Sequence, residues 1–261
     1  MTSGYRALCS DFYVNQKVSV KLDLPDSRET ILDLFERVRR EFPAMSSFRR
    51  YREELALESP TTDLPHRWIA IRSANIRSGV VNPEEGSDAY ELHKKVLEVS
   101  PYFLSISPLD IEYIELLYGF DLAASGNQDA VVAQALLDGS PLASLFEVER
   151  GVPMDFQPLL GMLVLGGERD TLDLEAAHTE VHFEVKTRSG PESLRETPGG
   201  VGTADPISVY VTLRRYEPVK DVKALPSVVD DLAEIGEDLV ASRVLPYLVA
   251  PIREAIAADG V

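Results

Sequence analysis

The sequence contains too few cysteines for an internal disulfide and no apolar run long enough to cross a membrane. Its one cysteine, Cys9, fits a reducing compartment. The N-terminus lacks a basic patch followed by an apolar run and a small-residue cleavage site, so we expect no signal peptide. The most apolar stretches, 159–165 and 244–256, are far shorter than the ~20 residues of a membrane helix. These absences predict a soluble, cytoplasmic protein.

Signatures of common catalytic and cofactor sites are also missing. The glycines of PGGVGTAD, at 198–205, lack the GxGxxG spacing and a following GK[ST], so they do not predict a nucleotide-binding loop. The sequence contains no GxSxG, no HExxH and no EF-hand spacing. We therefore expect no cofactor, and a non-enzyme is favoured over an enzyme.

Positive charge is scarce. The chain has 26 Lys and Arg against 43 Asp and Glu, a formal net charge of -17. Residues 1–125 carry 15 basic against 20 acidic side chains, and the rest of the chain carries 11 against 23. An anionic surface repels nucleic-acid phosphates and anionic lipids, so neither is an expected partner.

Hydrophobic periodicity predicts an α+β protein. Alternation of apolar residues is typical of strands, and apolar residues three and four apart are typical of helices. Segment 48–57 is ambiguous between helix and strand, and Pro246 and Pro251 predict a break or kink near Leu245. The predicted strands are 11–24, 68–73, 109–122, 159–165, 172–187 and 207–216, and the predicted helices are 31–42, 87–99, 127–137 and 227–259. Their order predicts a mixed, mainly antiparallel β-sheet packed by amphipathic helices.

A change of character near 149–158 predicts two lobes. Residues 1–150 form an α/β-type lobe in this interpretation, and residues 151–261 form a β-meander with C-terminal helices; a single domain is the alternative. Gly166, Gly167 and Asp170 favour a hairpin between two strands. Segment 189–206 is too polar and too rich in glycine and proline to pack, and the sequence does not define its role.

The densest group of ionisable residues is His178, Glu180, His182 and Glu184. On a strand all four point to one face, where neighbours two apart, ~6.8 Å along the strand, could share one metal ion. The two histidines would lie ~13 Å apart, too far for one ion, whereas a helix would bring them together. Because Val181, Phe183 and Val185 alternate with them, we favour the strand and a solvated or partner-facing sheet side. A metal or acid/base site is the alternative.

A second cluster gathers six arginines in a short span of an acidic chain. Guanidinium groups suit carboxylates and phosphates, so an anion or an acidic partner could bind here. Interleaved glutamates favour instead an exposed helix face with internal ion pairs. Contacts with the acidic second half are a further alternative. The six are Arg37, Arg39, Arg40, Arg49, Arg50 and Arg52.

Other chemical side chains occur alone or in pairs. Asp110 and Glu112 could share a strand face as a carboxylate pair, although they are more typical of the wet end of a strand. Cys9 is expected to be a small, partly buried residue, and His66 and His93 are expected to be structural.

These patterns favour a non-catalytic protein that acts by protein association, as a homo-oligomer or an assembly component. The supporting features are the missing nucleophile and cofactor signatures, the uneven charge and the long C-terminal helix interrupted by proline. The alternative is a metal- or small-molecule-binding protein or enzyme that uses the sheet face around Glu180 and His182. An RNA-binding module that uses the arginines is the weakest hypothesis, because the charge of the whole chain opposes it.

Overall fold

A computed structural model describes residues 5, 7–165, 178–188, 205–216 and 219–259. The hairpin predicted from Gly166, Gly167 and Asp170, the first part of the predicted strand 172–187, and nearly all of segment 189–206 lie outside these residues. The strands are β1 (Asp11–Val20), β2 (Ser47–Arg50), β3 (Leu55–Glu58), β4 (His66–Arg72), β5 (Asn75–Val81), β6 (Ile111–Leu122), β7 (Leu159–Leu165), β8 (His178–Lys186) and β9 (Ile207–Arg215). The helices are α1 (Arg28–Arg39), α2 (Gly86–Phe103), α3 (Gln128–Leu137), α4 (Leu225–Leu239) and α5 (Ala250–Asp259).

The strands form one nine-stranded sheet in the order β2-β3-β4-β5-β1-β6-β9-β8-β7. Every pair of neighbouring strands in the described ranges is antiparallel. The predicted α+β class with a mainly antiparallel sheet is confirmed. The ambiguous segment 48–57 contributes β2 and β3, and β5 is a strand that the periodicity did not identify.

The topology repeats on the two sides of the central pair, β1 and β6. Each half begins with a strand and a helix, which are β1 and α1 in one half and β6 and α3 in the other. Antiparallel strands follow, and the last of them pairs with the strand that began the half. A second helix, α2 or α4, comes after them. Thus β5 pairs with β1, and β9 pairs with β6. The chain passes from one half to the other between α2 and β6. The division into two lobes, residues 1–150 and 151–261, stays a prediction.

One face of the sheet packs against the helices. Residues of one parity are buried in the central strands, such as Val14 and Val18 in β1 and Leu116 and Phe120 in β6. Helices α2 and α4 contact these strands and each other. Residues of the other parity are mostly partly buried, and we call their side the outer face. It carries, among others, Tyr13, Asn15, Lys17, Trp68, Arg77, Glu115, His182, Tyr210 and Arg214.

Two prolines lie inside helical segments. Helix α2, which the sequence predicts over 87–99, runs to Phe103 and contains Pro101 in its last turn. Between α4 and α5 the chain stays helical, and residues Val240–Val249, which include Pro246, form a π-helix. At the place where the sequence predicts a break or kink, the structure therefore has a change of helix type, and the chain stays helical through it. None of the helices in the described ranges is long and apolar enough to cross a bilayer.

Candidate functional site

The ionisable residues of β8 lie on the outer face, as the strand alternation predicts. Across the sheet, Glu180 is opposite Arg214, and His182 is opposite Thr212. Glu184 pairs with Lys186, with 3.3 Å between the charged atoms. In the described part of the chain, no group of three or more His, Cys, Asp or Glu side chains is arranged to hold a metal ion. The structure therefore places the four residues on one partly exposed strand face, and no further ligand from the described residues joins them.

The six arginines are divided between two elements and a turn. On α1, Arg37 pairs with Glu41 at 3.7 Å, and Arg39 pairs with Glu36 at 3.0 Å. Arg40 also approaches Glu36, at 4.0 Å. Exposed pairs of this kind contribute ~0.3–0.5 kcal/mol each, so they add little to stability. This half of the cluster is the ion-paired helix face that the interleaved glutamates indicate.

The other three arginines lie at the opposite edge of the sheet from β7. Arg49 and Arg50 are exposed on β2, and Arg52 is exposed in the turn that follows. Arg50 and Arg52 line a cavity of about 360 Å³ together with Arg28 and Arg72. Its floor is apolar, with Leu24, Ile31, Phe48, Leu55 and Ile71.

Asp110 and Glu112 do not form a carboxylate pair. Asp110 ends the short 3-10 helix Pro108–Asp110, where its carboxylate accepts a hydrogen bond from the backbone N–H of Ser107 at 2.8 Å. Hydrogen bonds from Ser107 hold the pKa of Asp110 below its usual value. Glu112 instead accepts a hydrogen bond from the hydroxyl of Ser19, at 2.8 Å. A general acid at Asp110 is disfavoured, since its carboxylate is stabilised in the charged form.

The side chains of Cys9, His66 and His93 each lie close to a polar group of the protein. The Cys9 thiol donates to the carbonyl of Tyr5 at 3.2 Å, and burial followed by the charges of Asp11 and Asp121 raises its pKa to about 12. Cys9 is therefore a thiol at neutral pH and a weak nucleophile. His93 is buried 2.8 Å from the hydroxyl of Ser78, and His66 lies 3.2 Å from that of Ser59.

The feature that the sequence did not single out is strand β7. It forms one edge of the sheet, and in the described ranges it pairs with β8 alone. Its sequence, LLGMLVL, contains no charge, yet Leu159, Leu160, Met162 and Leu163 are between 46% and 61% exposed. Successive residues point to opposite faces of a sheet, so β7 is exposed on both sides.

The other edge of the same sheet has the usual protection against pairing. Strand β2 is four residues long, with the sequence SFRR, and Arg49 and Arg50 place two charges on it. Short length and charge are the devices by which natural proteins prevent strand pairing between molecules. Strand β7 is longer and has neither charge nor proline. Of the two edge strands, β2 therefore has features that oppose pairing with another molecule, and β7 lacks them.

The chain that leads into β7 also exposes apolar side chains, interspersed with the charged residues Glu147, Glu149, Arg150 and Asp155. It is fixed by Asn127, whose amide donates to the carbonyl of Pro153 at 3.0 Å, and by Asp129, which accepts from the N–H of Phe156 at 3.1 Å. Seventeen large apolar side chains are exposed in the described ranges, and nine of them fall within 142–163: Leu142, Leu145, Val148, Val152, Met154, Leu159, Leu160, Met162 and Leu163. We call residues 142–163 the apolar flank. A contiguous exposed apolar patch is typical of an interaction site, so this run of exposed apolar side chains is a candidate for one.

No model of a known protein family matches this sequence, and no curated protein matches it at a significant level.

Proposed function

We propose that this chain is a non-catalytic protein that acts by association, and that its partner at β7 is a second copy of itself. The observation that carries the proposal is the unguarded edge: an uncharged strand of seven residues, exposed on both faces, at the end of a well-packed sheet. Pairing would satisfy its free backbone groups and cover its apolar side chains.

Strand β7 is complementary to itself. An antiparallel pair with its two-fold axis at Met162 places Leu159 opposite Leu165 of the second copy, and Leu160 opposite Val164. Residues of equal parity then face each other, so the outer faces of both copies lie on the same side of one continuous sheet. Apart from Gly161, which lies opposite Leu163, each residue on β7 brings an apolar side chain to the pair, and the same surface meets itself as in an isologous interface.

Because the chain is strongly negative, an uncharged edge such as β7 is the more favourable place for two copies to pair. Two molecules that each carry -17 repel each other, but β7 has no charged residue and adds nothing to the repulsion. Added salt screens the remaining charges, with a Debye length of ~8 Å at physiological ionic strength. We therefore expect self-association to strengthen as salt rises.

The part of the apolar flank outside β7 supplies area that a strand pair alone does not. A stable interface buries ~1,600 Å² in total, more than two short strands provide. Residues 142–154 lie shortly before β7 in the chain and expose Leu142, Leu145, Val148, Val152 and Met154. Covering one such side chain contributes ~1.5–3 kcal/mol before the cost of association.

The proposal is tested by a charge placed on the edge. We expect wild-type protein to be a dimer by light scattering coupled to size exclusion, and Leu160→Lys to weaken dimerisation by ~30-fold, which corresponds to ~2 kcal/mol. The matched control is Leu22→Lys, because Leu22 is equally apolar and 67% exposed but lies outside the sheet. Wild-type protein that stays monomeric at high concentration, or a Leu160→Lys variant that dimerises normally, contradicts the proposal.

A cross-link tests the two-fold geometry itself. In a Cys9→Ser background, Met162→Cys places the introduced thiols opposite each other, at a Cα separation of ~4.5–5.5 Å that a disulfide can span. Mild oxidation should give a covalent dimer, whereas Leu22→Cys in the same background should not. A dimer that forms in solution but fails to cross-link through residue 162 indicates another partner surface.

We also propose that the protein works in the cytoplasm. The single, half-buried Cys9 is the supporting feature, since secreted proteins of this size commonly use disulfides. Fractionation of the producing cells tests the location directly.

A further inference from the structure

The outer face of the sheet contains a pocket over its central strands. It has a volume of about 280 Å³ and lies across β4, β5, β1 and β6, where Trp68, Arg77, Asn15, Lys17 and Glu115 contribute side chains. Four hydrogen-bonded strands form its floor, so these side chains are held on rigid backbone and not on loops. The volume is at the small end of ligand pockets, which favours a small molecule.

The pocket is a local exception to the negative charge of the chain. Its lining includes three cations, Lys17, Arg72 and Arg77, and one carboxylate, Glu115. Both arginines pair with Glu54. An excess of cations inside an otherwise acidic surface favours an anionic ligand at this position.

Lys17 is the cation available to a ligand. In the described ranges no carboxylate lies within ion-pair distance of its ammonium group, which donates a hydrogen bond to the hydroxyl of Tyr113 at 2.6 Å. Glu115 lies opposite Lys17 on the neighbouring strand, but its carboxylate forms an ion pair with Arg214. An ammonium group has three N–H donors, so donors remain for an anion beside Lys17.

Polar atoms without partners accumulate around the same pocket. The side-chain oxygens of Asn15 and Asn75 and the Nε of Arg77 are buried, and none of them has a hydrogen-bond partner among the described residues. Buried polar groups are nearly always paired in folded proteins. The two asparagine oxygens are acceptors and the Arg77 Nε–H is a donor, so a ligand that pairs with the oxygens must carry N–H or O–H groups.

Trp68 provides a flat apolar wall. Its indole ring lies against Gly79 on the neighbouring strand, where the Cβ of any other residue would overlap the ring. The guanidinium of Arg77 lies 5.8 Å from the ring centroid, and the ring stays partly exposed. A half-exposed indole against the sheet is suited to contact with a planar group.

We propose that this pocket binds a small planar organic anion, with its carboxylate or phosphate at Lys17 and its ring against Trp68. Lys17 supplies the charge, the arginines held by Glu54 add to the local potential, and the asparagine side chains bind polar substituents of the ring. The site uses neither β7 nor the apolar flank, so it stands independently of the proposed self-association.

The test uses the protein's own reporter. Trp68 is the single tryptophan of the chain, so its fluorescence reports on this pocket alone. Full-length protein is titrated with benzoate and adenosine monophosphate as ring-bearing anions, and with acetate and inorganic phosphate as ringless counterparts; calorimetry provides a second readout. We expect at least one ring-bearing anion to bind about ten-fold more tightly than its ringless counterpart.

Two variants with opposite effects assign the binding to the pocket. Lys17→Met should weaken binding by about ten-fold or more, whereas Glu115→Gln should strengthen it, because it removes the lining carboxylate. The matched control is Lys220→Met, which removes the same charge from an exposed position outside the pocket. Absence of binding by all four probes, or equal binding by wild type and Lys17→Met, overturns the proposal. Tighter binding by ringless than by ring-bearing anions overturns the role of Trp68.

Discussion

At the scale of single residues, His93 shows how burial changes the chemistry of a side chain. It lies on α2 beneath the sheet, with its ring 2.8 Å from the hydroxyl of Ser78. Burial lowers its pKa from 6.5 to about 3. The sequence predicted a structural histidine, and the surroundings of His93 fit that role. The size of the pKa change depends on the complete enclosure of the ring, which periodicity does not reveal.

His93 should make stability depend on pH. The folded protein keeps it neutral down to about pH 3, whereas the unfolded chain takes up a proton below about pH 6.5. The unfolded state therefore binds more protons in this window, and the free energy of unfolding falls as pH falls, by at most ~1.4 kcal/mol per pH unit from this group. Urea unfolding at several pH values should show a shallower acid loss for His93→Gln than for wild type. Parallel profiles would contradict the assignment.

At the scale of elements, the contact between α4 and β6 depends on a glycine. Gly236 lies within α4 against the ring of Tyr118, and a Cβ there would overlap the ring. The hydroxyl of Tyr118 lies 2.7 Å from that of Tyr90, which donates to Glu237 at 3.0 Å. The hydrogen-bonded group joins α2, β6 and α4, so the ring of Tyr118 cannot move without disturbing three elements.

We expect Gly236→Ala to destabilise the protein although alanine favours helices. The gain in helix propensity is about 1 kcal/mol, and forcing extra volume into a packed site costs about 1–3 kcal/mol. We expect the cost of the overlap to exceed the gain in helix propensity, because the ring of Tyr118 is buried and its hydroxyl is hydrogen-bonded. Thermal unfolding provides the measurement, with Asp238→Ala, an exposed change on the same helix, as the control. A stabilised Gly236→Ala variant would show that the helix can shift away from the strand.

At the scale of the whole molecule, the sheet and the core continue across the predicted lobes. Strand β6 belongs to residues 1–150 and pairs along its length with β9 of residues 151–261. The apolar core includes residues from both ranges, such as Leu116, Phe120, Val209 and Val211. A protein divided at residue 150 would expose these surfaces on each fragment.

We therefore expect the chain to unfold in one cooperative transition. Trp68 fluorescence reports on the first range, and far-ultraviolet circular dichroism reports on all elements; their denaturation curves should coincide. Residues 1–150 alone should not give a native-like circular dichroism spectrum. Two separate transitions, or a folded fragment, would support independent lobes instead.

The fold class, and the faces of strands such as β1 and β8, could be predicted from the residues alone, whereas β2, β3 and β5 could not. The two-residue period of β1 and β8 and the helical spacing in α1 are local, so they predicted which side chains share a side, including His178 to Glu184. The interleaved glutamates likewise predicted the ion pairs of α1. The amino-acid composition also shows that most of the excess negative charge lies after residue 125.

The position of these faces in the molecule depends on strand order. The run LLGMLVL has the composition of a buried strand, but among the described residues it is an edge strand, and strand order depends on pairings distant in sequence. The pocket beside Trp68 likewise needs β4, β5, β1 and β6 in register, which brings Asn15, Trp68 and Leu117 to one place. Local periodicity is carried by neighbouring residues, whereas exposure is decided by the packing of distant ones.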